Sequence, residues 1–290
     1  MWITVLNVVT SGLIMGGVYA IIAMGMSIQY GVARILNVSH GEFIMIGAFL
    51  TLVLVRANVN PLIAMLLIVP AMFLLGFVLH RTIYKKLGDV SGSVGAFESN
   101  SMLVSFGLMF VLQNVALQIW GSQQQVYAFL QTSVSFLGTA IALNRLVVLL
   151  LAVAISLMFY FFLQTTRLGK AIRAVSQDAD AAALMGVKIH RVGAICFGIG
   201  AVLAGVAGSL ISIINQFNTS IGMSYTIIAI IVVVLGGMGS VPGSLLGGFI
   251  LGFVGTLVNY IDPSLSLVAY YLIIIVLLLV KPSGLMGGKT

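Results

Sequence analysis

Long uncharged apolar runs dominate the chain and alternate with short charged segments. Six stretches contain no Asp, Glu, Lys or Arg: residues 1–33, 57–80, 99–144, 146–166, 192–261 and 263–280. A helix needs about 20 apolar residues to cross a hydrocarbon core of about 30 Å. The runs are continuous, whereas strands of a membrane barrel alternate between apolar and polar positions. The pattern therefore predicts an all-α, polytopic bundle of transmembrane helices.

The apolar runs divide into eight or nine predicted spans within a single transmembrane domain over residues 1–290. The predicted spans are 3–28, 37–55, 60–80, 99–120, 146–164, 192–213, 225–238, 243–260 and 265–280. The segment 225–238 is the weakest, because it runs into the helix breakers of GGMGSVPG at 236–243, and it could re-enter instead of crossing. The polar segment 121–145 is expected to form a small cap or a docking surface.

The basic residues decide the predicted orientation. If the chain crosses the membrane nine times, most of the basic residues fall on one side. Loops rich in Lys and Arg stay in the cytoplasm. Those on the predicted inner side are Arg34, Arg81, Lys85, Lys86, Arg167, Lys170, Arg173, Lys188, Arg191, Lys281 and Lys289, against only Arg56 and Arg145 outside. We therefore expect the N-terminus outside and the C-terminus inside.

Composition supports a membrane protein and argues against nucleic-acid binding. The chain is 61% hydrophobic and 7% charged, whereas soluble domains are about 25% charged. The net charge of +7 comes from loops between spans, where it is explained by orientation and partner contact. The single Cys196 allows no disulfide and is expected to be a small packing residue.

Sequence motifs for catalysis are not found. There is no HExxH or GxSxG motif, so we assign no catalytic residue, and the spacing of His40, His80 and His190 suggests no metal site. The C-terminal GLMGGKT imitates a phosphate loop, but Ser283 stands where the first glycine is required. The sequence therefore predicts a non-enzymatic chain with no cofactor and no nucleotide site of its own.

The segment 165–192, TTRLGKAIRAVSQDADAAALMGVKIHRV, is too long and too charged for a simple turn. It is typical of one or two short amphipathic helices. Within it, Asp180-Ala181-Ala182 followed by Gly186 resembles the EAA…G signature of the membrane subunits of ABC importers, with Asp in place of Glu. A small alanine-rich helix could lie in a groove of an ATPase, with Gly186 turning the chain after it. A solvated connecting helix is the alternative.

The resemblance extends over nearly the whole chain. GGVYAIIAMGMSIQYGVARILNVSHGEFIMIGAF (16–49), this loop and GGMGSVPGSLLGG (236–248) occur in the order seen in the branched-chain amino acid permease family of ABC importers, LivH-type. The resemblance implies an inner-membrane permease that forms half of a translocation pathway for branched-chain amino acids. It assigns ATPase coupling to the loop, in which we single out Arg173, Asp178, Asp180, Ala181, Ala182 and Gly186.

The same resemblance implies the partners: a second, similar permease, two cytoplasmic ATPase subunits that bind the ATP, and a periplasmic binding protein, all in the lipid of a bacterial inner membrane. Urea, short amides or other amino acids are alternative substrates for the same architecture. A self-contained channel or secondary carrier is a second alternative, which would need its own polar pore or ion site. Because the spans carry few polar groups, we expect a weakly binding, largely apolar pathway.

The segment RILNVSHGEF, residues 34–43, carries the candidate residues of the pathway or its gate: Asn37, Ser39, His40, Gly41 and Glu42. Phe43 to Val55 is about 20 Å of helix, so the span must include residues 37–42. Ser39 and Glu42 match the S-x-x-E capping box, and Asn37 is a competing cap. These residues either cap the helix only, or cap it and line the pathway.

Glycine pairs four residues apart recur at Gly12 and Gly16, Gly243 and Gly247, and Gly248 and Gly252. Such spacing allows close approach of helix backbones in lipid. We favour packing within one bundle over a dimer interface. The sequence shows no convincing internal repeat.

Overall fold

The computed structural model describes residues 2–136 and 139–286, so Lys289 and the end of the GLMGGKT segment lie outside the described residues. The elements are α1 (Trp2–Ala33), α2 (His40–Arg56), α3 (Pro61–Leu79), a π segment (His80–Tyr84), α4 (Lys85–Val90), α5 (Val94–Trp120), β1 (Ser133–Phe136), β2 (Thr139–Ala142), α6 (Leu143–Thr165), α7 (Arg167–Gln177), α8 (Ala179–Leu184), α9 (Ile189–Ile214), α10 (Ile221–Gly236), α11 (Val241–Ile261), a 3-10 turn (Pro263–Leu265) and α12 (Ser266–Val280). The predicted all-α bundle is confirmed.

Seven helical stretches in the described part of the chain are long and apolar enough to cross a membrane. They correspond to α1, α3 with its π extension and α4, α5, α6, α9, α11, and α12 with the preceding turn. Two of the predicted spans, 37–55 and 225–238, correspond to helices that are not among these seven. The helices α2 and α10 have only 17 and 16 residues, or roughly 26 and 24 Å, and each is preceded by six residues without helix.

Within the polar segment 121–145, the strands β1 and β2 pair in antiparallel orientation, with Ser133 opposite Ala142, and we call the two strands the hairpin. Gln125 forms an isolated bridge with Phe217, just after α9. The face of the bundle with this hairpin is called the hairpin side below. The opposite face carries α7 and α8 and is called the loop side. A bridge near the end of α9 shows that α9 runs from the loop side to the hairpin side.

Glycines bring α1 and α11 into close contact. A Cβ on Gly12 would lie 3.1 Å from Phe253 Cα, and a Cβ on Gly16 would lie 2.9 Å from Phe249 Cα. Gly248 faces Ala20, and Gly252 faces the backbone of Gly16. Side chains larger than hydrogen would force these helices apart. The predicted role of these glycines in packing within one bundle is confirmed.

Two halves of the bundle are related as an inverted repeat, so the prediction of no internal repeat was wrong. The helix α1 ends at Ala33 and α9 at Ile214, and α2 begins at His40 and α10 at Ile221. Both pairs are 181 residues apart, as are several identical residues in a gap-free match: Gly12 and Gly193, Gly17 and Gly198, Ala20 and Ala201, Ala23 and Ala204, Asn37 and Asn218, Ser39 and Ser220, Gly41 and Gly222, and Pro61 and Pro242.

Packing obeys the same relation. The helix α1 packs on α11 as α9 packs on α3, while α2 contacts α5 as α10 contacts α12. The two halves point in opposite directions, because α1 ends beside the start of α9: a Cβ on Gly193 would lie 3.8 Å from Ala33 Cβ. The helices α6, α7 and α8 stand between the halves and have no counterpart in this match. The repeat therefore makes α2 and α10 equivalent and opposite in direction. Each has about half the length of α1, and we call them the half-length helices.

Candidate functional site at the helix junction

The start of α2 lies deep in the bundle. His40 Nε2 is 3.0 Å from the carbonyl oxygen of Ile22 in α1. Ile22 precedes the loop-side end of α1 by 11 residues, which is about 16 Å of helix. Residues 34–39 therefore return from the loop side towards the middle of a core of about 30 Å, and α2 runs from there to the hairpin side.

Asn37 fixes this turn. Its Oδ1 accepts hydrogen bonds from the Ser39 backbone N–H at 3.1 Å and from Ser39 Oγ at 2.6 Å. Its Nδ2 donates to Gln29 Oε1 at 3.2 Å, and Gln29 Nε2 donates to the Phe197 carbonyl. Asn37, Ser39 and Gln29 are fully buried. The chain of bonds satisfies polar groups that have no access to water at this depth.

The predicted capping box was wrong. Ser39 occupies the N-cap position, but its side chain makes no capping bond, and the Glu42 N–H donates to the Ser39 backbone oxygen at 3.0 Å instead. Asn37 attracts the Ser39 hydroxyl because it lies only two residues away and forms a tight Asx turn. Glu42 consequently does not reach back to Ser39, and its carboxylate points elsewhere.

Glu42 faces the first turn of α10. Its side chain is fully buried, and neither carboxylate oxygen has a hydrogen-bond partner among the described residues. A Cβ on Gly222 would collide with this carboxylate. The carboxylate thus lies in the first turn of α2 and against the first turn of α10. Both helix ends carry partial positive charge, which stabilises an anion there.

The two half-length helices meet backbone to backbone. A Cβ on Gly41 would collide with the Gly222 carbonyl oxygen. The Gly41 N–H donates to Thr226 Oγ1 at 2.9 Å, and Thr226 Oγ1 donates to the Val38 carbonyl at 3.1 Å. Two helix N-termini are thereby joined near the middle of the bundle. We call Asn37–Glu42 together with Asn218–Thr226 the junction.

The second half of the junction was missed by the sequence analysis. Ser220 is the N-cap of α10 and its N–H donates to Asn218 Oδ1 at 3.0 Å, as Ser39 does to Asn37. The repeated pattern Asn-x-Ser-x-Gly at 37–41 and 218–222 was the available signal. Gly222 and Thr226 therefore join the predicted residues of the first half.

His40 fastens α2 to α1. Because Nε2 faces a carbonyl oxygen, it is the protonated ring nitrogen and donates the bond to Ile22. The ring is fully buried, and its Cε1 lies against Gly25, where a Cβ would be 3.2 Å away. Within the described residues, no group of three His, Cys, Asp or Glu side chains could hold a metal ion.

The predicted coupling residues lie together in the loop, with different orientations. Asp178 caps α8 by accepting from the Ala181 N–H at 2.9 Å, and Arg173 donates to Gln164 Oε1 at 2.7 Å. Asp180 and Ala181 are exposed. Gly186 has φ of +85° and ends the turn after α8.

Ala182 does not face outwards as the groove hypothesis requires. It is only 5% exposed and packs in the main core cluster. The exposed apolar side chains at the tip of the loop are Leu184, at 89%, and Met185, at 86%. Sequence reasoning missed both, although two consecutive large apolar residues in a charged loop were visible.

Spanning helices, two half-length helices joined at mid-depth and a protruding loop define a polytopic membrane permease. The chain matches the family described as branched-chain amino acid transport system / permease component over residues 8–280, and it belongs to that family. It is a multi-pass protein of the inner membrane and a component of a transport system.

Three relatives illustrate the similarity. The chain is 29% identical to the high-affinity branched-chain amino acid transport system permease protein LivH of Escherichia coli (strain K12), over 96% of this chain and 94% of the relative. It is 30% identical to the corresponding protein BraD of Pseudomonas aeruginosa, over 97% and 95%. It is 25% identical to the ribose import permease protein RbsC of Haemophilus influenzae, over 94% and 83%. No solved structure gives a significant match.

Proposed function

We propose that the chain is the permease subunit of an ATP-driven importer, and that it forms half of a pathway for leucine, isoleucine and valine. The junction carries this proposal. Discontinuous helices whose N-termini meet at mid-depth are typical of substrate sites in transporters. The relatives LivH and BraD are named for branched-chain amino acid transport, which favours these amino acids over urea, short amides or sugars.

The junction matches the charges of an amino acid. The fully buried carboxylate of Glu42, which has no hydrogen-bond partner in the part of the chain that the structure describes, is a ready acceptor for an ammonium group. The first N–H groups of α10 suit a substrate carboxylate, because helix N-termini favour anions. In this structure the two helices close on each other through Gly41 and Gly222. Transport then requires that α2 and α10 separate at this contact.

An inverted repeat would by itself suit a self-contained carrier. The segment between the repeats argues for an external energy source, because α7 and α8 present exposed Leu184 and Met185 on the loop side. We assign the loop side to the cytoplasm, where two separate ATPase subunits bind and hydrolyse ATP. The chain itself then needs no cofactor and catalyses no reaction.

Within the loop, each residue has a proposed part. Leu184 and Met185 contact the ATPase, with Asp180 and Ala181 at the edge of the contact. Asp178, Ala182 and Gly186 hold α8 in position through the cap, the core contact and the turn. Arg173 ties α7 to the end of α6, so that movement of the loop reaches a spanning helix.

The face of α5 that carries polar residues is our proposed contact surface for the second permease. This helix presents Gly107, Asn114 and Gln118 as exposed residues within a spanning segment. Polar side chains in a spanning helix face protein or water rather than lipid. We therefore place the second permease, or the pathway between the two permeases, against this face. A periplasmic binding protein would deliver the substrate at the hairpin side.

A charge-neutral replacement of Glu42 tests the role of the junction. Glu42→Gln, in the complete importer in proteoliposomes, is expected to reduce labelled leucine uptake at least about tenfold, the effect of one lost charge-assisted bond. The permease should still copurify with its ATPase. Glu98→Gln, on the loop-side part of α5, is the matched control. Normal uptake by Glu42→Gln would remove the junction from the pathway.

A further inference from the structure

A cavity of about 650 Å³ opens between α1, α6, α9, α11 and α12. It lies at the ends of these helices on the hairpin side, since its lining includes Arg145 at the start of α6 and Asn215 just after α9. Its size falls within the range of about 300–1,000 Å³ that is typical of small-molecule sites. None of the residues predicted from the sequence as functional lies in it.

The floor of the cavity lies next to the junction. Tyr19 lines the cavity from α1, and Ile22, three residues further along α1, accepts the hydrogen bond from His40. Three residues correspond to about 4.5 Å of helix. A solute at the floor would therefore be separated from the start of α2 by one helical turn.

Aromatic rings fill the equivalent position on the loop side. There the π segment and α9 place three rings against one another: the Tyr84 and Phe197 centroids are 4.9 Å apart, and those of His80 and Phe197 are 5.9 Å apart. Tyr84 is fully buried. The inverted repeat therefore has a cavity of about 650 Å³ on the hairpin side and packed rings at the equivalent place on the loop side, where a smaller cavity of about 210 Å³ lies between α1, α6, α7 and the start of α11. The larger opening towards the junction is on the hairpin side.

The lining is complementary to a small solute that carries both a negatively charged group and an apolar group. Arg145 is the one charged side chain among the described residues that line the cavity, and Asn7, Asn215 and Asn259 supply amide groups. Val8, Ile14, Met15 and Ile214 form an apolar wall. The buried Ser266 Oγ, also in the lining, has no hydrogen-bond partner among the described residues. A guanidinium pairs well with a carboxylate.

We propose that this cavity is a receiving site for a small solute with a carboxylate and an aliphatic side chain. Arg145 donates hydrogen bonds to the carboxylate, and the amide oxygens accept from the amino group. The aliphatic side chain packs against the apolar wall. The choice of a branched-chain amino acid as the solute rests on the proposed function. A lipid phosphate with its acyl chain shares this chemistry, and the experiment separates the two sources.

The test uses cysteine labelling in the complete importer. Cys196 is fully buried, so Ser11→Cys, in the lining, supplies an accessible thiol for a charged methanethiosulfonate reagent. We expect millimolar leucine to slow labelling of Ser11→Cys, and not of Ser122→Cys, an exposed hairpin-side position outside the lining. Isopentylamine, which has no carboxylate, should not protect.

Charge variants complete the test. Adding Arg145→Gln to Ser11→Cys should weaken leucine protection at least about tenfold, whereas Arg56→Gln, the same change at a residue bonded to Gln125, should leave it unchanged. Protection by phosphatidylglycerol but not by leucine, or leucine protection that ignores Arg145→Gln, would overturn the proposal. Labelled leucine uptake is measured separately. Uptake without protection overturns the receiving site alone, and protection without uptake overturns the proposed function alone.

Discussion

The contact between Gly41 and Gly222 gives the sharpest prediction for the stability of the bundle. A Cβ on Gly41 would lie 2.5 Å from Thr226 Oγ1 and 2.6 Å from the Gly222 carbonyl carbon, with the Gly222 oxygen closer still. Relaxed carbon contacts are about 3.5–4.0 Å, so Gly41→Ala forces α2 and α10 apart by roughly 1 Å. The Gly222 carbonyl belongs to the helix backbone and cannot rotate away, and Thr226 Oγ1 can do so only by losing its hydrogen bonds to the Gly41 N–H and the Val38 carbonyl.

The expected cost follows from three contributions. Overpacking costs about 1–3 kcal/mol, and loss of the partner of the buried Gly41 N–H costs about 1–3 kcal/mol more. Replacing glycine by alanine in a helix returns at most about 1 kcal/mol. The sum is a loss of roughly 3 kcal/mol, which lowers the melting temperature by roughly 6–12 °C if about 2–4 °C per kcal/mol applies.

The assay is thermal unfolding of the purified protein in detergent, followed by fluorescence-detected size exclusion. Gly95→Ala is the matched control, because a Cβ on Gly95 in the first turn of α5 meets nothing within 4 Å. We expect the melting temperature of this control to stay within about 2 °C of the unmodified protein. Equal stability of Gly41→Ala and Gly95→Ala would refute the close contact at the junction.

Three further predictions concern the junction and the loop. Thr226→Val should destabilise the protein by about 1–3 kcal/mol, because it leaves the Gly41 N–H and the Val38 carbonyl without partners. The control Thr82→Val loses only a bond to Val78 in its own helical stretch, and it should unfold at the normal temperature. Leu184→Glu should abolish copurification of the ATPase while trypsin cleavage of the loop stays unchanged; Val90→Glu, at an exposed site on the neighbouring loop, is its control, and retained complex would exclude Leu184 from the contact. Ala182→Arg should also lose the ATPase but should accelerate cleavage of residues 166–188 by a lysine-specific protease, because it displaces α8 from the core. Cleavage at the normal rate would contradict the inward orientation of Ala182.

Much of the bundle was predictable because apolar runs of spanning length have few alternatives in water or lipid. The hydropathy pattern predicted apolar segments at the positions of α2 and α10, but it did not predict the residues at which these helices begin. Residues 215–220 and 34–39 enter the bundle without helix, and their polar groups are satisfied by contacts that only the folded chain supplies. Ser39 can bond either to the side chain of Asn37 or to Glu42 in a capping box. The bond to Asn37 forms instead of the capping box, because joining residues two apart in the chain requires less ordering than joining residues three apart.

The inverted repeat escaped detection for a related reason. Most of its identical residues are Gly, Ala, Asn, Ser and Pro at contact and turn positions, with a few apolar pairs such as Ile14 and Ile195. These residues are common in any membrane helix. Many of the large apolar side chains between them differ, because lipid and neighbouring helices accept many shapes. The orientation of Ala182 depended on how α8 docks against the core, which periodicity over six residues does not specify.

Uptake by the reconstituted importer tests the transported substrate and the need for the ATPase subunits together. Proteoliposomes with the permease pair, both ATPase subunits and the binding protein are loaded with ATP on the loop side and given labelled leucine or labelled urea at the hairpin side. We expect ATP-dependent accumulation of leucine, little urea uptake, and no accumulation when the ATPase subunits are omitted. Leucine accumulation without the ATPase subunits, or urea uptake in preference to leucine, would contradict it.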